Sequence, residues 1–201
     1  VTVEQYRRCR EAGACGGPRD DIREHYSNWF EPDRDQHPIN FVSWDNARSY
    51  CEFLGKRLCT EAEWEKAARG TDHRFYPWGD ELATCEHAVL NDENGAGFGC
   101  GADSTMEVGS RPLDCSPYGV LDMMGNVSEW VNDRYSEHYY RESPYRNPQG
   151  PECCARVARG ISAFMGSLEI AAWLSNVVMR DYWEATDRSR SLGFRCCRSV
   201  P

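Results

Sequence analysis

Cysteine content constrains this chain more than any other feature. Eleven cysteines lie among 201 residues, at Cys9, Cys15, Cys51, Cys59, Cys85, Cys100, Cys115, Cys153, Cys154, Cys196 and Cys197. No two have CxxC spacing, so a zinc site is poorly supported and disulfides are the better reading. Disulfides require an oxidising compartment, which places the chain outside the cytoplasm or in secretion. Proximity alone suggests Cys9–Cys15 and Cys85–Cys100 as local bridges, and an odd count leaves at least one thiol over. The chain starts at Val1 with neither Met nor a signal peptide, so it reads as a mature form or a domain cut from a larger protein.

With 40% hydrophobic residues, the chain can bury one sizeable core, and one domain over residues 1–201 is expected. Net charge is 23 minus 32, or −9, which repels a phosphate polymer and argues against nucleic acid as a partner. No apolar run approaches the roughly 20 residues needed to cross a bilayer, so this segment is not expected to insert into a membrane.

Three helices are legible. TVEQYRRCREAG has capping-box spacing at Thr2 and Gln5, with Gly13 as its stop. In SWDNARSYCEFLG, Ser43 caps a face of Trp44, Ala47, Cys51 and Leu54, and Gly55 ends it. TEAEWEKAARG carries Thr60 and Glu63 as a capping box and Gly70 as its end. Residues 16–40 read as a loop, and 75–151 as turns and short extended pieces. RVARGIS and LGFRCCRSV read as strands. The fold class is α+β, loop-rich and disulfide-braced.

Five strings occur in order: PINFVSWDNARSYCEFLGKRLCTEAEWEKAARG, YPWGD, SPYGVLDMMGNVSEW, RVARG and LGFRC. Together they resemble the formylglycine-generating enzyme family, the sulfatase-modifying-factor domain, whose fold is a variant of the C-type lectin fold. The resemblance runs over nearly the whole chain. It implies a bridge from Cys51 to Cys196, and a calcium ion held by the Asp122 and Glu129 carboxylates with the Gly125 and Val127 carbonyls. Hard oxygen ligands of this kind suit calcium. Two departures stand out. Ser128 replaces the family's usual Trp and creates the sequon Asn126-Val127-Ser128, and Ala88-Val89 replaces an Ala-Asn pair tied to a second calcium.

Aerobic members of the family bind copper(I) through two cysteines five residues apart, between the RGGS-like strand and GFRC. Here residues 155–195 contain no cysteine. The hydroxyls of Ser162, Ser167 and Ser175 cannot replace soft thiolates, so no copper is expected. The five histidines, His25, His37, His73, His87 and His138, include no i, i+4 pair, which argues against the iron site of the related sulfoxide synthases.

The same stretch is rich in large apolar residues. They suit core packing, contact with an adjoining domain, or a recognition surface. Ile161, Phe164, Met165, Trp173, Tyr182 and Trp183 are the candidate binding residues. The resulting expectation is a non-catalytic, extracytoplasmic recognition module, a pseudoenzyme for an unknown protein or small ligand. Its alternative is an oxidoreductase of the same family with a non-standard metal site. A third is an accessory domain of a larger protein, such as an extracytoplasmic segment of a signalling kinase.

Overall fold

A computed structural model describes residues 1–17, 26–92, 96–165 and 176–199. Helix α1 spans Val3–Glu11, α2 Trp44–Phe53 and α3 Glu61–Arg69, with Thr2, Ser43 and Thr60 as N-caps in reciprocal capping boxes. Each cap hydroxyl accepts a backbone N–H three residues on, and the side chain there returns a bond to the cap N–H. Two otherwise orphaned donors are thereby satisfied at the start of each helix. A single-turn helix α4 covers Tyr139–Glu142. Among the described residues no helix is long and apolar enough to cross a membrane.

The described residues also form six short strands: β1 Arg57–Leu58, β2 Ser128–Arg134, β3 Arg156–Arg159, β4 Arg180–Trp183, β5 Leu192–Phe194 and β6 Cys196–Cys197. The larger sheet has the order β4-β3-β2-β5, antiparallel except for the parallel β2–β5 pair. β1 and β6 form a separate antiparallel ladder. The expected RVARGIS strand stops at Arg159, where Gly160 turns with φ +76°. LGFRCCRSV breaks at Arg195, so its two halves enter different sheets. β2 and β4 carry no strand signal in the sequence. β2 is buried on both faces and shows no two-residue alternation.

The sheet separates two cores. Trp130 of β2 and Ala158 of β3 face α1 and α2, with Tyr6, Tyr50, Leu192 and Phe194. Their neighbours Val131 and Val157 face the other way, toward α3, Tyr76, Met123 and Met124. Alternation along a strand makes one sheet the wall of both.

Four disulfides join Cys9–Cys15, Cys51–Cys196, Cys59–Cys197 and Cys85–Cys100. Cys196 and Cys197 are adjacent on β6, so their side chains leave opposite faces and reach different partners, one in α2 and one just past β1. Cys115, Cys153 and Cys154 stay free and exposed.

Candidate functional site

The LDMMGNVSE string forms a tight loop ahead of β2. Asp122, Gly125 and Asn126 all take positive φ, at 55°, 79° and 63°. A Cβ on Gly125 would lie 2.6 Å from the Val89 carbonyl oxygen and 2.8 Å from its nitrogen, so only glycine fits. Asn126 pins the loop. Its Oδ1 accepts from Met106 N and its Nδ2 donates to Met106 O, both at 3.0 Å. The Asn126 amide is buried and doubly bonded, which leaves the sequon no room for a glycan.

The four residues expected to hold calcium line a single cavity of about 250 Å³, together with Arg195. Asp122 Oδ2 accepts from Gly109 N at 2.7 Å. Glu129 Oε2 accepts from Trp64 Nε1 and Arg195 Nε, each at 2.6 Å. Arg195 also donates to the Leu121 and Asp122 carbonyls, at 3.0 and 2.9 Å. Burial raises the Asp122 carboxyl pKa, with the Gly109 bond opposing it. Asp114, behind the loop, is pushed up to about 8, chiefly by burial. Glu129 is already balanced by Arg195, whose guanidinium also takes the Leu121 and Asp122 carbonyls on the cavity wall. Among the described residues no three His, Cys, Asp or Glu side chains converge as a metal cluster.

Where the resemblance puts the copper-binding cysteines, this chain has none. No cysteine occurs in residues 155–195, and eight cysteines elsewhere are bridged. Ser162 is buried, with its hydroxyl donating to Ser191 Oγ at 3.0 Å and accepting from Phe164 N at 3.2 Å. Of the histidines, His37 bonds Arg34 and Thr105, and His87 stacks on Trp78 at 4.8 Å. His25 lies outside the described residues.

The candidate binding residues do not form one surface. Ile161 and Phe164 are buried, each in a different apolar cluster, because the chain turns inward after Gly160. Met165 and Trp183 are partly buried against the two main cores. Trp173 lies outside the described residues. Only Tyr182, 56% exposed on the edge strand β4, keeps the expected position.

Two residues before Tyr182 on β4, Arg180 borders a groove that sequence reasoning missed. A cavity of about 600 Å³ runs between α3 and β4, walled by Glu65, Lys66, Arg69, Tyr140, Val178 and Arg180. Tyr182 packs on Tyr135 at 4.5 Å between ring centroids. Arg180 lies over the Tyr135 and Tyr140 rings, at 4.8 and 5.2 Å. Beneath them Glu61 joins Arg180 at 2.6 Å and the fully buried Arg159 at 3.0 Å, while Arg159 also meets Glu65 at 2.7 Å. Glu61 follows the Thr60 cap and Arg159 ends β3, 98 residues apart. Only tertiary pairing reveals them as partners.

With the scaffold and both regions defined, the class is settled by comparison. Residues 1–200 match the sulfatase-modifying factor enzyme 1-like domain, and the chain belongs to that family. It is 36% identical over 177 residues to the formylglycine-generating enzyme of Streptomyces coelicolor, covering 83% of this chain and 54% of that protein. It is also 33% identical over 231 residues to the serine/threonine-protein kinase Pkn1 of Chlamydia trachomatis, covering all of this chain and 32% of that one. The chain thus spans about half, or less, of the curated relatives it matches. Among solved structures, PvdO from Pseudomonas aeruginosa superposes with TM-score 0.74 at 25% identity, covering 100% of this chain and 78% of that chain. Treponema denticola variable protein 1 shares the fold, with TM-score 0.72 at 22% identity over 99% of this chain and 82% of that chain.

Proposed function

We propose that this domain is a non-catalytic, calcium-braced recognition module of the formylglycine-generating enzyme family, working outside the cytoplasm, with the α3–β4 groove as its contact surface. One observation carries the reading: the family scaffold is intact, yet the stretch between β3 and β5 has no thiol to hold copper(I). The groove supplies what recognition needs. Tyr140 and Arg180, which line it, are residue types that anchor interfaces, and the Glu61 network holds the guanidinium in place. Relatives include a long kinase of which this domain matches about a third, which supports its role as one part of a larger protein. Bound calcium would neutralise the Asp122 carboxylate beside the Glu129–Arg195 pair and fix the loop ahead of β2. The four disulfides support an oxidising location.

Two measurements test this. Incubation with copper, oxygen and a CxPxR peptide should yield no aldehyde, and sustained turnover would overturn the non-catalytic reading. Calcium added to chelator-treated protein should raise the unfolding temperature, and Asp122→Ala should abolish that rise. An equal rise in the variant would remove calcium from this site.

A further inference from the structure

Eight of the eleven cysteines are committed to bridges, but two of the free three are neighbours in sequence. Cys153 and Cys154 are both exposed, on the turn leading into β3. As neighbours across one peptide bond, their Cα atoms lie about 3.8 Å apart, and Cys153 raises the pKa of the Cys154 thiol beside it. The backbone there is held in an unusual shape. Cys154 has φ +85°, which a side chain with a Cβ rarely adopts, and Arg134 Nη1 donates to its carbonyl at 2.6 Å. One residue later the turn is tied down again, where Tyr135 N donates to the Ala155 carbonyl at 2.8 Å. Two thiols are therefore kept together on a fixed turn at the surface.

We propose that Cys153 and Cys154 form a reversible dithiol–disulfide couple that exchanges with low-molecular-weight disulfides. The Cys153 thiolate attacks one sulfur of the small disulfide, forming a mixed disulfide and expelling one small thiolate. The Cys154 thiolate then attacks the Cys153 sulfur, closing the ring and expelling the second. Two protein thiols lose two electrons and two protons, and one small disulfide becomes two small thiols. Cys154 is the resolving member: Arg134 anchors its carbonyl next to β3, and Cys153 stands one residue further out on the turn.

Geometry separates this couple from the four bridges. Their Cα atoms stand 4.8–5.7 Å apart, within the ordinary range. Residues adjacent across a trans peptide are held at about 3.8 Å, below that range, so the closed ring is strained and easily reduced. The pair opens and closes under conditions that leave the four bridges intact. It is thus a redox-responsive site on a scaffold that does not itself change redox state.

The test is alkylation and peptide mass mapping of the intact domain, equilibrated in buffers of varied glutathione to glutathione-disulfide ratio. The Cys153–Cys154 peptide should lose two hydrogens as the ratio becomes oxidising and regain them on reversal, while the eight other bridged cysteines stay protected. In Cys154→Ser, Cys153 should instead accumulate a stable glutathione adduct. Both thiols remaining alkylatable at every ratio would overturn the proposal. So would a Cys153 or Cys154 bridge to Cys115 or to a second chain.

Discussion

At the scale of single residues, two buried positions bear the cost of the design. Asp133 is almost wholly buried, with Oδ2 accepting from Glu61 N at 2.7 Å and Oδ1 without a partner. Burial, reinforced by Glu61 and Glu63, pushes its pKa up to about 6. The folded state therefore holds a proton that the unfolded chain releases near pH 4, so this stabilisation is present at low pH and lost as pH rises through about 6. Asp133→Asn should raise the unfolding temperature at pH 8 by about 2–4 °C, the effect of roughly 1 kcal/mol in a domain of this size, and by little at pH 5. A gain that is larger at pH 5 would contradict the assignment. Gly125 is the second position: with φ +79° and the Val89 backbone in contact, Gly125→Ala should cost about 1–3 kcal/mol or more by urea titration. Its glycine requirement is invisible in the sequence, because Val89 is distant along the chain.

At the scale of elements, α3 ties sequence to site. Its start was legible in TEAEWE, since a capping box is a local device. Its partners were not. Glu61 is buried between Arg159 of β3 and Arg180 of β4, with Tyr140 completing the cluster at 3.3 Å. Glu61→Gln should destabilise the domain by about 3 kcal/mol, because two guanidiniums lose their shared carboxylate, Arg159 within the core. The same change should release Arg180 from its place over Tyr135 and Tyr140, altering the groove without touching the loop ahead of β2. Chemical denaturation gives the first effect, and unchanged calcium-induced stabilisation checks the second. β4 went unread as a strand because its role at the sheet edge depends on β3, not on its own sequence pattern.

At the scale of the molecule, two long-range bridges share one function. Cys51–Cys196 and Cys59–Cys197 span 145 and 138 residues but leave neighbouring positions on β6. Either alone closes the long loop, a contribution on the order of 4–5 kcal/mol, so the second closes only a short one, worth somewhat under about 3 kcal/mol. Replacing either pair by alanine should therefore cost the smaller amount, while replacing both should cost far more than twice it. A double-mutant cycle by urea unfolding measures this coupling, and additive losses would refute it. The two cores add a second level of integration, because the central strands β2 and β3 contribute to both.

What the chain encodes locally was readable from its residues: three capped helices, the left-handed glycines that end them, an excess of cysteine and a stretch without thiols. Each follows from interactions within a few positions, or from composition alone. The Cys59–Cys197 bridge, the inward turn that buries Ile161 and Phe164, and the Glu61–Arg159–Arg180 cluster required the folded chain. They join residues tens of positions apart, where packing and burial, rather than propensity, choose the neighbours.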